Sequence, residues 1–399
     1  MTGNICRIVF LLVAVAIFPR TAHALPFTFD ARSLGMGSVS TATADLATSA
    51  WANPAMLTNQ PEENKWSLLI GVGAFLRDDD DLIGDIEDFQ DADDVRRESD
   101  DLLEQAQAIL EMRRIVRDIE DKAIAPEATA LVAFGIAFES FAMALSVRAD
   151  AIAGGIVTNL SCPLIEPGCD PNELLSEDFN ILNVDGVLTT EFGVSFAKDF
   201  TFWDRKVSLG IKPKLVEIDV FSDSESILTL STDYDYAEEQ DNRRNQGTFE
   251  TIDLGLAADL SESFRLGLSL RNLITDEFGI FDQTLSFDTE VRMGLAYHNN
   301  FMVLAVDYDL TENEPLLPNE SFGGLRTQYL AIGAEFNGLR HIKFRLGARR
   351  NVASDISDGA DDPLYTAGFG FWVAGINLDA SIIKNDNTTG IFLQGGAKF

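Results

Sequence analysis

The chain has 399 residues and a formal net charge of −34, with 46% hydrophobic and 24% charged residues. So acidic a surface excludes wrapping nucleic acid, which needs basic side chains, and the apolar content excludes a chain disordered by composition. Past the first residues no run of about 18 apolar residues occurs, so a membrane could be crossed only by a closed β-barrel, not by a helix.

The chain opens "MTGNICRIVFLLVAVAIFPRTAHALPF". Arg7 precedes a short apolar run, Ile8–Phe18, and Ala22-His23-Ala24 forms an A-x-A cleavage site. This pattern predicts a signal peptide over 1–24 and a mature start at Leu25. Cys6 leaves with it. Residues 25–60 are small and turn-prone and do not alternate.

Strict alternation begins near residue 66. A first strand is predicted over 66–76, followed by an insert over 77–127 that is rich in acid at "RDDDDLIGDIEDFQDADDVRRESDD". Within it Leu102, Ala106, Ile109, Val116 and Ile119 follow helical spacing. Strand parity places the insert outside the cell, as a solvated helical cap over a barrel mouth or as a partner-binding or cation-bridged surface. Neither this run nor "SDISDGADDP" has EF-hand spacing, so no metal site is predicted.

Thirteen further strands are predicted near 128–138, 141–149, 187–198, 206–220, 248–260, 264–273, 288–298, 301–310, 327–336, 341–350, 365–373, 376–384 and 390–399. The even total of fourteen suits a single-chain bacterial barrel. The fifth strand changes hydrophobic phase at Leu215-Val216, which predicts a bulge. Between the third and fourth predicted strands lies "SCPLIEPGCD". Two close cysteines, Cys162 and Cys169, in an exported chain predict a disulfide; unpaired thiols are the alternative. Connections alternate long and short, the short ones being Glu139-Ser140, Ser261–Ser263, Asn299-Asn300 and Asn337–Arg340. Long outer loops and tight periplasmic turns give this rhythm.

The segment "HIKFRLGARR" sets Lys343, Arg345 and Arg349 between apolar residues. A bare charge facing lipid would cost ~2–4 kcal/mol at mid-depth, so these cations are expected to face the lumen. Arg265, Arg271 and Arg292 are expected there as well, opposite Asp253, Asp307, Asp309, Glu335 and Asp379. They would form either a salt-bridged rigid interior or a cationic site for an anionic head group. The last strand, "GIFLQGGAKF", is amphipathic and ends on Phe399, like the terminal signal of outer-membrane barrels.

The stretch "DARSLGMGSVSTATADLATSAWANPAML" resembles the N-terminal signature of the long-chain fatty acid transporter (FadL-like) superfamily of outer-membrane barrels. With the acidic stretch Asp80–Asp91 it is most similar to the outer-membrane proteins labelled conjugal transfer TraF-type. Met56 stands where the transporters continue with glycine. The resemblance implies a lumen blocked by an N-terminal hatch, with Arg32, Gly35, Met36, Gly37, Asn53, Pro54 and Ala55 as its motif.

The expected fold is therefore all-β: a fourteen-stranded antiparallel transmembrane β-barrel over 61–399, plugged by a hatch over 25–60, with an acidic helical outer insert. The expected setting is the bacterial outer membrane, among membrane lipid. Two functions follow: passage or binding of small hydrophobic compounds, or a structural scaffold for secretion or conjugation proteins. No catalytic residue, metal or cofactor is predicted. His298 and His341 sit on separate strands, and no G-x-S-x-G elbow or His/Cys cluster occurs.

Overall fold

The structure, a computed structural model, describes residues 22–23, 30–59, 65–78, 81–120, 122–161, 173–230, 244–280, 283–287, 289–314, 326–354 and 362–399. The predicted signal peptide, apart from residues 22–23, and both cysteines Cys162 and Cys169 lie outside the described residues.

Fourteen strands close into one barrel. They are β1 (Trp66–Asp78), β2 (Ala123–Ala137), β3 (Ala142–Thr158), β4 (Ile181–Phe202), β5 (Arg205–Ser226), β6 (Arg244–Asp259) and β7 (Phe264–Arg271). Then follow β8 (Glu290–His298), β9 (Met302–Asp309), β10 (Tyr329–Phe336), β11 (Ile342–Asn351), β12 (Leu364–Val373), β13 (Ile376–Lys384) and β14 (Thr388–Lys398). Each pairs antiparallel with its sequence neighbours, and β14 closes on β1 with Lys398 opposite Ser67 and Thr388 opposite Arg77. Closure removes every free sheet edge, the requirement for a sheet in hydrocarbon. Phe399 extends the seam: its N–H donates to the Trp66 carbonyl at 3.0 Å, and its ring lies 4.6 Å from the Trp66 ring. All fourteen predicted strands are present, and the tight turns fall on one rim.

The outer face of the wall is apolar. Ile70, Val72, Leu209, Ile211, Ile332, Leu346, Leu378 and Leu393 are all exposed there. Aromatic rings crowd the tight-turn rim at Trp66, Phe138, Phe141, Phe202, Trp203, Phe301 and Phe336, as a girdle at a membrane interface does. Among the described residues no helix is long and apolar enough to cross a membrane.

The predicted bulge in β5 is absent. Pairing with β4 keeps one register throughout, with Gly193 opposite Lys214 and Phe196 opposite Ile211 on either side of Pro213. Burial alternates without a break: Ser208, Gly210, Lys212, Lys214, Val216, Ile218 and Val220 all point inward. The change at Leu215-Val216 is chemical, not geometric. Below it the inner face is polar and the outer face greasy; above it Val216, Ile218 and Val220 face inward while Glu217 and Asp219 face out. β4 and β5, at 22 residues each, thus run well past the 9–11 residues that cross a bilayer. The inversion marks where the wall leaves the lipid.

The lumen holds residues 30–59. Short helices α1 (Ala31–Leu34) and α2 (Ser49–Ala52) and a 3₁₀ turn (Pro54–Thr58) lie there, nearly every residue buried. Asp30 caps α1 in a reciprocal box with Ser33.

The insert forms a hairpin of α3 (Leu82–Glu98) and α4 (Leu102–Asp118). α3 grows out of the acidic run, where helical spacing alone gave no prediction. The hairpin does not cap the mouth. Leu82, Ile86, Phe89, Met112 and Ile115 pack with Ile124, Val157 and Leu182, and alternation puts those three on the outer face, since Ala123, Ala125 and Ile156 point inward. The hairpin therefore leans against the outside of the wall, above the lipid. A short hairpin, Asp276–Ile280 with Gln283–Phe287, decorates a further outer loop.

Candidate functional site: the plugged lumen

The plug fits because the wall lacks side chains where the plug's backbone passes. Six inward glycines form three cross-strand pairs: Gly210 with Gly255, Gly267 with Gly294, and Gly333 with Gly347. A Cβ on Gly210 would fall 2.2 Å from the Ala55 nitrogen, one on Gly267 2.2 Å from the Thr41 carbonyl oxygen, and one on Gly347 2.2 Å from the Gly37 nitrogen. Real Cβ atoms do not approach so closely, so these strands spend glycine to admit a neighbouring backbone.

The seven motif residues all lie in this plug. Gly37 has φ +72°, and a Cβ there would meet the Ile332 carbonyl oxygen at 2.5 Å, so glycine is required twice over. Gly35 caps α1 against Gly368, and Met36 is fully buried beside Ala305 and Ala331. Asn53 accepts from the Ala55 N–H at 3.1 Å. Its amide donates to the Thr41 carbonyl at 2.8 Å and across to the Leu256 carbonyl at 3.2 Å. Pro54 starts the 3₁₀ turn, and Ala55 is buried against Gly210 and Gly255. Arg32 grips the wall: its guanidinium donates to both Glu335 oxygens, at 2.9 and 3.2 Å, and to the Thr43 carbonyl at 2.7 Å.

Sequence reasoning missed the plug's other wall anchors. Asp307 accepts from the Ser40 and Thr41 N–H groups at 2.8 and 3.0 Å and from the Thr41 hydroxyl at 2.8 Å. Thr366 accepts from the Gly37 N–H at 2.8 Å, Gln394 from the Ala31 N–H at 3.1 Å, and Asp45 from Lys398. The available signal was an inward polar residue on a strand rich in inward glycine. Burial pushes the Asp45 carboxyl up, but the Lys398 ammonium and the Arg32 guanidinium outweigh it and hold it well below the ordinary carboxylate range.

Above the plug lies a layer of paired charge. Lys212 and Lys214 both donate to Glu191, and Lys214 also reaches Asp253 at 3.0 Å. Arg292 lies 3.4 Å from both Asp307 and Asp309 and donates to the Ser38 carbonyl. Arg271 pairs with Glu290 at 3.3 Å, and Arg349 donates to the Ser38 hydroxyl. On the tight-turn side of the plug, Arg345 bridges Glu335 and Asp379, each at 2.7 Å. Arg265, near the tight-turn rim, pairs with Asp259 at 2.6 Å. Of the six cations predicted for the lumen, Lys343 alone keeps an exposed head, 3.6 Å from Glu335. Among the described residues no cluster of His, Cys, Asp and Glu could hold a metal.

Higher still the interior turns apolar. Ala123, Ala125, Val187, Val216, Ile218, Val220 and Phe249 converge from β2, β4, β5 and β6. The lumen thus has three layers along its axis: plug, charge and grease.

An apolar exterior on a closed, plugged and polar-cored sheet defines a transmembrane β-barrel of the bacterial outer membrane. Residues 50–309 match the family described as "F plasmid transfer operon, TraF, protein", and the chain belongs to that family. No curated protein matches it in sequence. Among solved structures it is similar to the Ralstonia pickettii toluene transporter TbuX, with TM-score 0.53 and 10% identity over 93% of this chain and 98% of that one. It is also similar to the Pseudomonas putida toluene transporter TodX, with TM-score 0.52 and 12% identity over 95% and 98% of the two chains. A Pseudomonas aeruginosa FadL homologue gives TM-score 0.52 and 11% identity over 95% and 99%. At these identities the likeness is one of fold: a FadL-like barrel.

Proposed function

We propose that this protein binds small hydrophobic compounds in the upper lumen and passes them across the outer membrane. The observation that carries this is the apolar inner wall formed by Val187, Val216, Ile218, Val220 and Phe249 above the charged layer. A barrel that only needed rigidity would keep its interior polar and paired, as this one does lower down. The solved barrels of similar fold described as toluene transporters support the same reading.

The test is uptake of radiolabelled toluene by cells lacking the gene, complemented with the wild type or with Ile218→Asp. A carboxylate in that apolar patch should lower uptake by roughly tenfold or more, since 1.4 kcal/mol is tenfold and burying an unpaired charge costs more than that. Uptake that is the same with and without the gene would end the proposal. On this reading the seven-residue motif of the plug closes the pore between passages.

A second reading rests on a separate observation. The acidic α3–α4 hairpin leaves Leu102, Leu103 and Leu110 exposed on its free side, and the matched family is named for a plasmid transfer operon. A scaffold role would dock secretion or conjugation proteins there. Deleting residues 82–118 should then abolish mating while leaving toluene uptake intact.

A further inference from the structure

At the tight-turn end of the barrel a cavity of about 660 Å³ opens between the plug, strands β1 and β11–β14, and the turn between β10 and β11. Its charge is opposite to that of the chain, which carries −34. Five basic side chains line it: Arg32 from the plug, and Arg340, Lys343, Arg345 and Lys398 from the wall. Only two carboxylates do so, Asp45 and Asp379.

Exposure sharpens the asymmetry. The Lys343 side chain is 40% exposed, whereas its nearest acid, Glu335, is 1% exposed and already holds both Arg32 and Arg345. Asp379 is 7% exposed and is held by Arg345 and by the Asn377 amide. Asp45 is held by Lys398. The acids therefore sit behind the cations, and the surface the cavity presents is positive. Arg340 is exposed at the rim and makes no ion pair among the described residues. Ser67, fully buried, lines the same cavity with a hydroxyl that has no hydrogen-bond partner among the described residues. Leu69 and Trp372 add apolar surface to it.

We propose that this cavity is a periplasm-facing binding site for a phosphate or carboxylate group, held by Lys343 and Arg340 with the Ser67 hydroxyl as a further donor. A cationic lining in a low-dielectric recess attracts an anion more strongly than the same charges would in open water, and charge-assisted hydrogen bonds are the stronger kind. The apolar walls suit a short amphiphile carrying that group. This site is independent of the toluene reading, because it lies below the plug and the apolar cluster of the upper lumen lies above it.

The test is isothermal titration of the full-length protein in neutral detergent with inorganic phosphate, hexyl phosphate and hexanol. Hexyl phosphate should bind, and the double variant Lys343→Met/Arg340→Met should weaken it at least tenfold, with hexanol giving no response that depends on either residue. Phosphate matching hexyl phosphate assigns the site to free anions, and tighter hexyl phosphate assigns it to amphiphile head groups; either outcome supports the site. Equal binding by the wild type and the double variant, or no binding by either anion, overturns it. A Ser67→Ala variant, which changes no charge, checks the same site with a smaller loss. The heat-modified gel shift of each variant reports that its barrel is intact. Toluene uptake by the double variant should stay at the wild-type level, so failure here and failure of the uptake reading are separable.

Discussion

Strand β5 carries the lower and upper halves of the lumen in a single run, and they are built on opposite rules. From Ser208 to Lys214 the inner face is polar and the outer face is lipid-facing; from Val216 to Val220 the inner face is apolar and the outer face carries Glu217 and Asp219. The register does not change between them. A period-2 pattern reports which face is greasy, and says nothing about which side that face is on. The lipid decides that in the lower half. Above the bilayer water lies outside, and the apolar side chains turn inward to each other. The lesson is that a phase change in a barrel strand has two causes, an extra residue or a change of solvent, and strand length separates them.

The same distinction governs what was legible in the sequence. All fourteen strands could be read because each alternates over a bilayer's width, and the rhythm of loops fixed which rim was which. The lumen charges could be read because lipid forbids them on the other face. The hairpin's seat could not be read: Ile124, Val157 and Leu182 look like lipid-facing residues, and only the strand extension shows that they meet α3 and α4 instead. α3 was hidden because its charged residues dominate the helical spacing, and its apolar positions Leu82, Ile86 and Phe89 are few. The plug's motif was legible by resemblance. Its wall partners Asp307, Thr366, Gln394 and Lys398 were not, since a strand residue gives no sign of which part of a distant segment it will meet.

The comparison breaks most sharply if the lower half loses its plug. Gly347→Leu puts a branched side chain where the Gly37 nitrogen already stands, and the plug backbone cannot give way inside a closed wall. The plug should leave the lumen while the barrel survives, because the wall's own ladder is untouched. Planar-bilayer conductance should rise from closed to open, and the plug should become protease-sensitive. The equivalent change in the upper half, Val220→Leu, meets apolar side chains rather than backbone and should leave conductance unchanged.

A smaller effect tests the middle layer. Lys212→Met leaves Glu191 buried with Lys214 as its remaining partner. Removing one member of a buried pair costs roughly 3–5 kcal/mol when the other is stranded, and the surviving Lys214 contact puts this variant at or below the lower end. The midpoint of the heat-modified gel shift should fall by several degrees. Glu191→Gln should fall further, since it takes the carboxylate from both Lys212 and Lys214 and leaves only Lys214 with another, Asp253.

The smallest expected effect concerns the latch at the foot of the plug. Asp45 joins the plug to the last strand through Lys398, and with Arg32 that ammonium holds its carboxyl below the ordinary range despite burial. A depressed carboxyl stabilises above its unfolded value of about 3.9, and that stabilisation disappears only as pH falls through the lower folded value. The latch should therefore be as firm at pH 5 as at pH 7, and plug proteolysis in the wild type should be equal at the two. Asp45→Asn removes the charge at both pH values and should raise plug cleavage equally at each. Because the pair is about a fifth exposed, at 23% and 21%, the loss should be near 1 kcal/mol or less, a few-fold in cleavage rate. Wild-type cleavage that climbs between pH 7 and pH 5 would mean that another group near the plug titrates there, and that the lower half is held by something other than these fixed pairs.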